Sequence, residues 1–323
     1  MQLPEDLQNG VIEALEQAGW NELLNAREVL TDRYRSHQKQ QFMTNNQQRL
    51  SYLATRLPAT YAAVYQTLNQ IKKTVNDISI HSLLDLGAGP GTTLWAAAQI
   101  FPLQTATLFE KDQALALLGQ KLAQRKELAV FQNCQWKIGD LELLKELPVH
   151  DMVTLSYSIG ELSSASIFPV LQKCWQATKK ILVIIEPGTP TGFERMRLIR
   201  QTLIDMGGHI VAPCSHALKC PILRGDWCHF TARIERSSFH RRLKGGTLNY
   251  EDEKFSYIVV SKSSLLLPPA RILRHPQHRS GHSLFTLCTP NGIQQETISK
   301  RTPLEYKIAK KLEWGEVFSL SAK

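Results

Sequence analysis

The sequence predicts an α/β protein, a mostly parallel sheet covered by helices on both faces, and three observations predict it. From His81 onward, short apolar runs (Leu83 to Leu86, Thr105 to Phe109, Gln135 to Ile138, Met152 to Tyr157, Ile181 to Ile185) alternate with helical stretches. Such alternation is the signature of parallel strands joined by crossover helices. The first run leads directly into Asp85-Leu86-Gly87-Ala88-Gly89-Pro90-Gly91-Thr92, a glycine-rich turn between a strand and a helix. After Gly207-Gly208 the alternation stops, and a segment rich in Cys, His, Arg and Gly runs to about Gly246.

Taken in order, residues 1–79 read as an N-terminal helical domain. Tyr61, Val64, Tyr65, Leu68, Ile71 and Val75 recur at helical spacing behind Pro58, which suits a helix start. Residues 80–206 form a Rossmann-like core, completed by 250–262, where Phe255 to Val260 gives a clear strand. The Cys-rich segment 207–249 reads as an insertion held by a ligand. Pro268-Pro269 marks a linker into a small C-terminal β region, 265–323. In it Ser283 to Cys288 and Ile293 to Ile298 flank Thr289-Pro290-Asn291-Gly292, whose Asn-Gly pair signals a hairpin.

At 323 residues the chain is long enough for more than one structural unit. Its first residues, Met1-Gln2-Leu3-Pro4-Glu5-Asp6, are acidic, and its longest apolar runs are far too short to span a bilayer. A cytoplasmic monomer without membrane attachment is therefore expected, with its six cysteines reduced. The net charge of +9 is uneven: residues 1–206 carry 20 Lys and Arg against 20 Asp and Glu, and residues 207–323 carry 18 against 9. A basic region of this kind attracts polyanions, RNA or DNA first among them. Arg233, Arg236, Arg241, Arg242 and Lys244 are the candidate phosphate contacts.

The glycines of the turn are spaced two and two, whereas the dinucleotide fingerprint places its third glycine three positions after the second. This spacing resembles the S-adenosylmethionine loop of class I methyltransferases, in which Gly87, Gly89 and Gly91 would let the cofactor approach the backbone. Glu110 closes the second strand, where a carboxylate can accept both ribose hydroxyls. Asp140 closes the third, near the adenine amine in that pattern, and Asp85 lies near the amino-acid end. Methyl transfer is an in-line displacement for which positioning supplies most of the acceleration. The acceptor segment, Ser156-Tyr157-Ser158-Ile159-Gly160-Glu161-Leu162, lacks the Asn/Asp-Pro-Pro-aromatic motif of amine methylation and any cysteine nucleophile. Glu161 and Tyr157 are its only candidates for proton chemistry.

Cys214, Cys220 and Cys228 fall within fifteen residues, and Cys288 lies sixty further on. The spacing, Cys-x5-Cys-x7-Cys, is neither a zinc ribbon nor a ferredoxin run. Four thiolates suit zinc or an iron-sulfur cluster, and His216 or His229 could complete a zinc site with three cysteines. Cys134 and Cys174 sit in the sheet-and-helix region and read as core. A radical cofactor cleavage is disfavoured, since its usual Cys-x3-Cys-x2-Cys loop does not occur.

The stretches Arg49 to Tyr61, Asp85 to Thr92, Glu186 to Phe193, Val211 to Phe230 and Tyr250 to Tyr257 together resemble the small-ribosomal-subunit methyltransferase-like family. The Ala-Pro-Cys, Cys-Pro and Asp-Trp-Cys-His-Phe elements are its specific marks. The resemblance implies a class I S-adenosylmethionine-dependent methyltransferase fold carrying a 4Fe-4S cluster, and association with small-subunit ribosomal RNA. It implies Cys214, Cys220, Cys228 and Cys288 as the cluster ligands. It leaves open whether the chain is an rRNA methyltransferase, an assembly factor or both, and zinc stands as the alternative metal.

Overall fold

A computed structural model describes residues 1–36, 43–75 and 78–320. Four helices open the chain: α1 (Glu5–Glu16), α2 (Trp20–Ser36), α3 (Asn46–Thr55) and α4 (Leu57–Thr74). Asn45 caps α3 by accepting from the Gln48 amide, and Pro58 occupies the first turn of α4, where its missing N–H costs nothing. α4 is buried nearly all round, from Leu57 through Ile71, because it lies between α5 (Thr92–Ala98) and the main sheet.

That sheet is built from β1 (Ser82–Leu86), β2 (Thr105–Glu110), β3 (Gln135–Ile138), β4 (His150–Ser156), β5 (Thr178–Pro187), β6 (His209–Ala212), β7 (Phe230–Glu235) and β8 (Tyr250–Ser261). α6 (Gln113–Ala123), α7 (Ala129–Gln132), α8 (Ser164–Ala177), α9 (Pro190–Asp205) and α10 (Ser238–Lys244) fall between the strands. The order is β3-β2-β1-β4-β5-β8-β6, with β7 beside β8. β1 to β5 pair in parallel, and β8 runs antiparallel to β5, β6 and β7. β4 and β5 are buried on both faces, as parallel strands under two helical layers must be. One core joins the N-terminal helices to the sheet through Leu57, Val64, Leu68, Trp95 and Tyr257. A second, on the other face, packs Leu84, Val153, Ile184 and Val260 under α8 and α9.

β6 and β7 lie inside the segment expected as an insertion. Both pair with β8, so these two strands belong to the main sheet, while the cysteine loop between them and α10 after β7 stand outside it. The C-terminal region forms a second sheet of β9 (Ala270–Ile272), β10 (Gln277–His278), β11 (His282–Thr289), β12 (Gly292–Ser299) and β13 (Val317–Phe318), with α11 (Pro303–Ala309) against it. β11 and β12 make the expected hairpin, but Thr289 pairs with Gly292, so Pro290 and Asn291 form its tip and the Asn-Gly pair is displaced by one. Gly292, at φ +102, carries the turn into β12. Among the described residues no helix is long and apolar enough to cross a membrane.

Candidate functional site

Two places gather unusual chemistry. The first lies at the carboxyl ends of β1, β2, β4 and β5. Gly87, Gly89 and Gly91 take φ of +72, +56 and +79, which L side chains rarely adopt. A Cβ on Gly87 would stand 2.5 Å from that of Ser158, whereas one on Gly89 would meet nothing nearer than Leu115 and the Tyr52 hydroxyl at 3.9 Å. The glycine at 89 thus borders space, and the one at 87 borders the acceptor segment.

Asp85 is fully buried at the end of β1. Thr154 donates to its Oδ1 at 2.7 Å, and its Oδ2 is buried without a partner. Burial pushes its carboxyl up to about 7 against the opposing hydrogen bond of Thr154. Glu110 accepts from the Gly89 amide at 2.8 Å and from the Asp112 amide at 2.8 Å, so it ties the glycine turn to the end of β2. Burial raises its carboxyl, and those two amides oppose the shift. Asp140 is exposed, with Oδ1 accepting from the Glu142 amide.

The acceptor candidates sit apart from each other in character. Tyr157 holds φ +58, strained for a non-glycine, and donates to Glu253 Oε1 at 3.0 Å, while Arg56 pairs with both oxygens of Glu253. Burial first, then the Glu253 charge, raises the Tyr157 phenol well above its ordinary value. That hydroxyl is locked in a structural contact. Glu161 is exposed and paired to Lys111 at 3.0 Å. The sequence reading missed Tyr52, Arg56 and Glu186. Glu186, 1% exposed, accepts from Arg195 at 2.6 Å and from the Gly160 amide at 3.3 Å, which fixes the acceptor segment to β5.

The second place is a cavity of about 40 Å³ whose walls include Cys214, Cys220, Cys228 and Cys288, with Phe193, Ile222 and Tyr257 among its apolar neighbours. All four thiols are free of disulfides. Burial raises the thiols of Cys220, Cys228 and Cys288, the last to about 12, so thiolates here require a cationic partner. Arg200 Nε lies 3.3 Å from Cys214 Sγ, and His216 Nε2 lies 3.5 Å from Cys288 Sγ. His216 joins the cavity wall with its Nδ1 buried and unpartnered. His229, the other histidine considered, is instead stacked on Trp227 and set edge-on to Trp314. Among the described residues no three His, Cys, Asp or Glu side chains are gathered closely enough to hold a metal ion. Cys174 is core, as expected, and Cys134 donates to the Phe131 carbonyl.

The five expected phosphate contacts stand in different surroundings. Arg236 and Lys244, each less than a fifth exposed, both pair with Glu251, which also accepts from buried His240. Burial notwithstanding, His240 and Lys244 hold the Glu251 carboxyl far below its ordinary range. Arg233 is exposed but doubly bonded to Asp252 and stacked over Tyr250 at 3.9 Å. Arg242 lies over the Trp20 ring at 4.1 Å, and Arg241 is exposed. The counted charge did not reveal that carboxylates of β8 face these cations across one sheet.

The strand order, with an antiparallel strand between the fifth and the last, and the glycine turn over Asp85 define the class: an α/β protein with a methyltransferase-type, Rossmann-like fold. The family model described as mitochondrial small ribosomal subunit Rsm22 matches residues 46–319, and the chain belongs to that family. It is 26% identical over 296 residues to the human mitochondrial ribosome assembly protein METTL17, covering 83% of this chain and 62% of that one. It is 25% identical over 330 residues to the mitochondrial Rsm22-cox11 tandem protein 2 of Schizosaccharomyces pombe, covering 85% of this chain. The chain spans only 43% of that fission yeast relative. Among solved structures, magnesium protoporphyrin IX methyltransferase from Synechocystis with bound SAM is similar over 74% of this chain and 97% of that one, at 12% identity and a TM-score of 0.43. The expectation of a cytoplasmic protein is overturned, because the family and these curated relatives are named as mitochondrial. An acidic first segment was the wrong guide to compartment.

Proposed function

We propose that this chain is an S-adenosylmethionine-binding factor for assembly of the small ribosomal subunit, in which Cys214, Cys220, Cys228 and Cys288 hold a 4Fe-4S cluster. The observation that carries this reading is the convergence of four free thiols, three from one loop and one from the C-terminal hairpin, on a single cavity in a member of the Rsm22 family. A four-iron cluster is larger than a single ion and sets its thiolates farther apart, which suits cysteines that share a cavity without closing on one point. When bound, the cluster would supply cross-linking of the loop to the hairpin.

The cofactor cleft fits its group by two marks: the buried, unpartnered Asp85 Oδ2 and the open side of Gly89. Asp85 would accept from the amino-acid end, Glu110 would share its carboxylate between Gly89 and the ribose hydroxyls, and Asp140 would reach the adenine amine. Catalysis receives less support than binding. The Tyr157 hydroxyl is committed to Glu253, and Glu161 is solvated and paired, so neither is a poised base. Small-subunit ribosomal RNA is the proposed partner, met by exposed cations such as Arg241 and Arg242.

Co-sedimentation of the purified protein with immature small subunits tests the reading. Binding by the wild type that is lost in Cys220→Ser supports it. Equal binding by a folded, metal-free Cys220→Ser protein rejects the role of the cluster, and no binding by the wild type rejects the function.

A further inference from the structure

Two arginines are buried beside the cysteine cavity, and neither forms an ion pair with a carboxylate among the described residues. Arg200, on α9, is 5% exposed. Its Nε donates to Cys214 Sγ at 3.3 Å, and its Nη2 donates to the carbonyls of His216 at 2.8 Å and Leu218 at 2.9 Å. Arg271, on β9, is 0% exposed. Its Nε donates to the carbonyl of Pro213 at 2.7 Å, beside Cys214, and its Nη1 reaches Gln70 Oε1 and the Gly315 carbonyl. Arg271 is also the register partner of Cys288 on β11, and its Nη2 is buried with no hydrogen-bond partner. One guanidinium thus stands on the loop side of the cysteines and the other on the hairpin side.

Burying a guanidinium without a counter-charge is strongly unfavourable, because carbonyl dipoles replace only part of the lost hydration. The groups beside these cations that can become anionic are Cys214, 3.3 Å from Arg200, Cys288, opposite Arg271 in register, and Tyr257, whose phenol burial raises far above its ordinary value and so keeps neutral. Four neutral thiols would leave both cations uncompensated. Four thiolates around a core of charge 2+, whether iron-sulfur or zinc, leave a net charge of minus two, which two guanidiniums balance.

We infer that Arg200 and Arg271 are the counter-charges of a dianionic four-thiolate centre in this cavity, acting as positioning residues that set its charge state and, for an iron-sulfur centre, its reduction potential. The inference rests on the metal reading proposed above and adds to it which side chains make that centre tolerable in the interior. Hydrogen bonds and positive charge near the sulfurs favour the more reduced, more negative form.

The test compares Arg200→Gln with Arg200→Lys, and Arg271→Gln with Arg271→Lys, in the full chain purified without oxygen. The readouts are metal and sulfide content, retention of metal against a chelator and, for an iron-sulfur centre, the reduction potential. Lysine keeps the charge and loses the forked hydrogen bonds, whereas glutamine loses the charge. The inference expects the Gln variants to lose metal to the chelator several-fold faster than the Lys variants, and to show a more negative potential where the cluster remains. Lys and Gln variants that behave alike, in a protein whose wild type holds metal, would overturn the inference and leave the metal reading intact. A wild type that holds no metal would overturn both.

Discussion

Ser215 Oγ donates a 2.9 Å hydrogen bond to the backbone carbonyl of Cys288, joining the cysteine loop to the C-terminal hairpin across 73 residues of chain. The contact is buried on both sides and runs from Ser215, the neighbour of Cys214, to the backbone of Cys288, both cysteines being proposed metal ligands. Ser215→Ala should therefore lower stability by about 1 kcal/mol, the usual net worth of a buried hydrogen bond. Chemical denaturation checks it. Hydrogen exchange should show the loss concentrated in β9 and β11, and an unchanged C-terminal sheet would mean that the loop and hairpin are held together elsewhere.

The glycine turn separates folding from binding. Gly87→Ala forces a Cβ to within 2.5 Å of the Ser158 Cβ and should destabilise the chain outright. Gly89→Ala meets open space, so only the φ of +56 opposes it, a cost of roughly 1–2 kcal/mol. It should fold and yet lose S-adenosylmethionine by calorimetric titration. Unaltered affinity in Gly89→Ala would move the cofactor away from this turn.

Asp85 gives a pH signature. Its folded carboxyl titrates near 7, above the ordinary unfolded value, so the folded state holds a proton that the unfolded state has lost between about pH 4 and 7. Stability from this group is full below that window and falls as pH rises through it. Asp85→Asn should therefore be more stable than the wild type without cofactor. Its advantage should grow from pH 4 to about 7, then level off at a few kcal/mol, up to about 4 by linkage. The same variant should bind S-adenosylmethionine poorly. Parallel denaturation curves at pH 5 and 8 with no growing gap would contradict the buried, unpartnered state of Oδ2.

What the sequence made legible follows physical range. The strands of the core and the glycine turn were readable because their signals are local: an apolar run, a spacing of glycines, a helix start at Thr92. Three of the four cysteines stood out by falling within fifteen residues of a polar segment, and Cys288 joined them only through the family resemblance; the fold lines one cavity with all four. Arg200 and Arg271 were not legible, since an arginine on a helix or a short strand looks the same in sequence whether it meets water or a sulfur. The ion pairs of Arg233, Arg236 and Lys244 were hidden for the same reason. Their partners Asp252 and Glu251 lie on β8, brought opposite β7 by pairing that charge counting cannot see.

The acceptor segment yields a prediction against catalysis by its own side chains. Tyr157→Phe should cost about 1 kcal/mol through the lost bond to Glu253, and Glu161→Gln, at an exposed pair with Lys111, should stay within about 0.5 kcal/mol of the wild type. Under the proposed function, neither should impair binding of the chain to immature small subunits. A Glu161→Gln protein that folds and binds cofactor but no longer binds those subunits would contradict this.

Arg56 and Glu253 tie the N-terminal helices to β8 beside the same segment, with N–O distances of 3.0 and 3.2 Å and both partners largely buried. Glu253→Gln should weaken this tie and release the Tyr157 backbone from its left-handed conformation. A thermal shift of several degrees, at about 2–4 °C per kcal/mol for a chain of this order of size, would register it. A shift below 1 °C would show that the conformation is held by other contacts.

Metal analysis of the anaerobically purified chain tests the proposed cluster in the cysteine cavity most directly. The expected result is iron and acid-labile sulfide in equal amounts, near ~4 of each per chain, lost together in Cys220→Ser. A folded wild-type protein that carries neither iron nor zinc, with four freely reactive thiols, would contradict it.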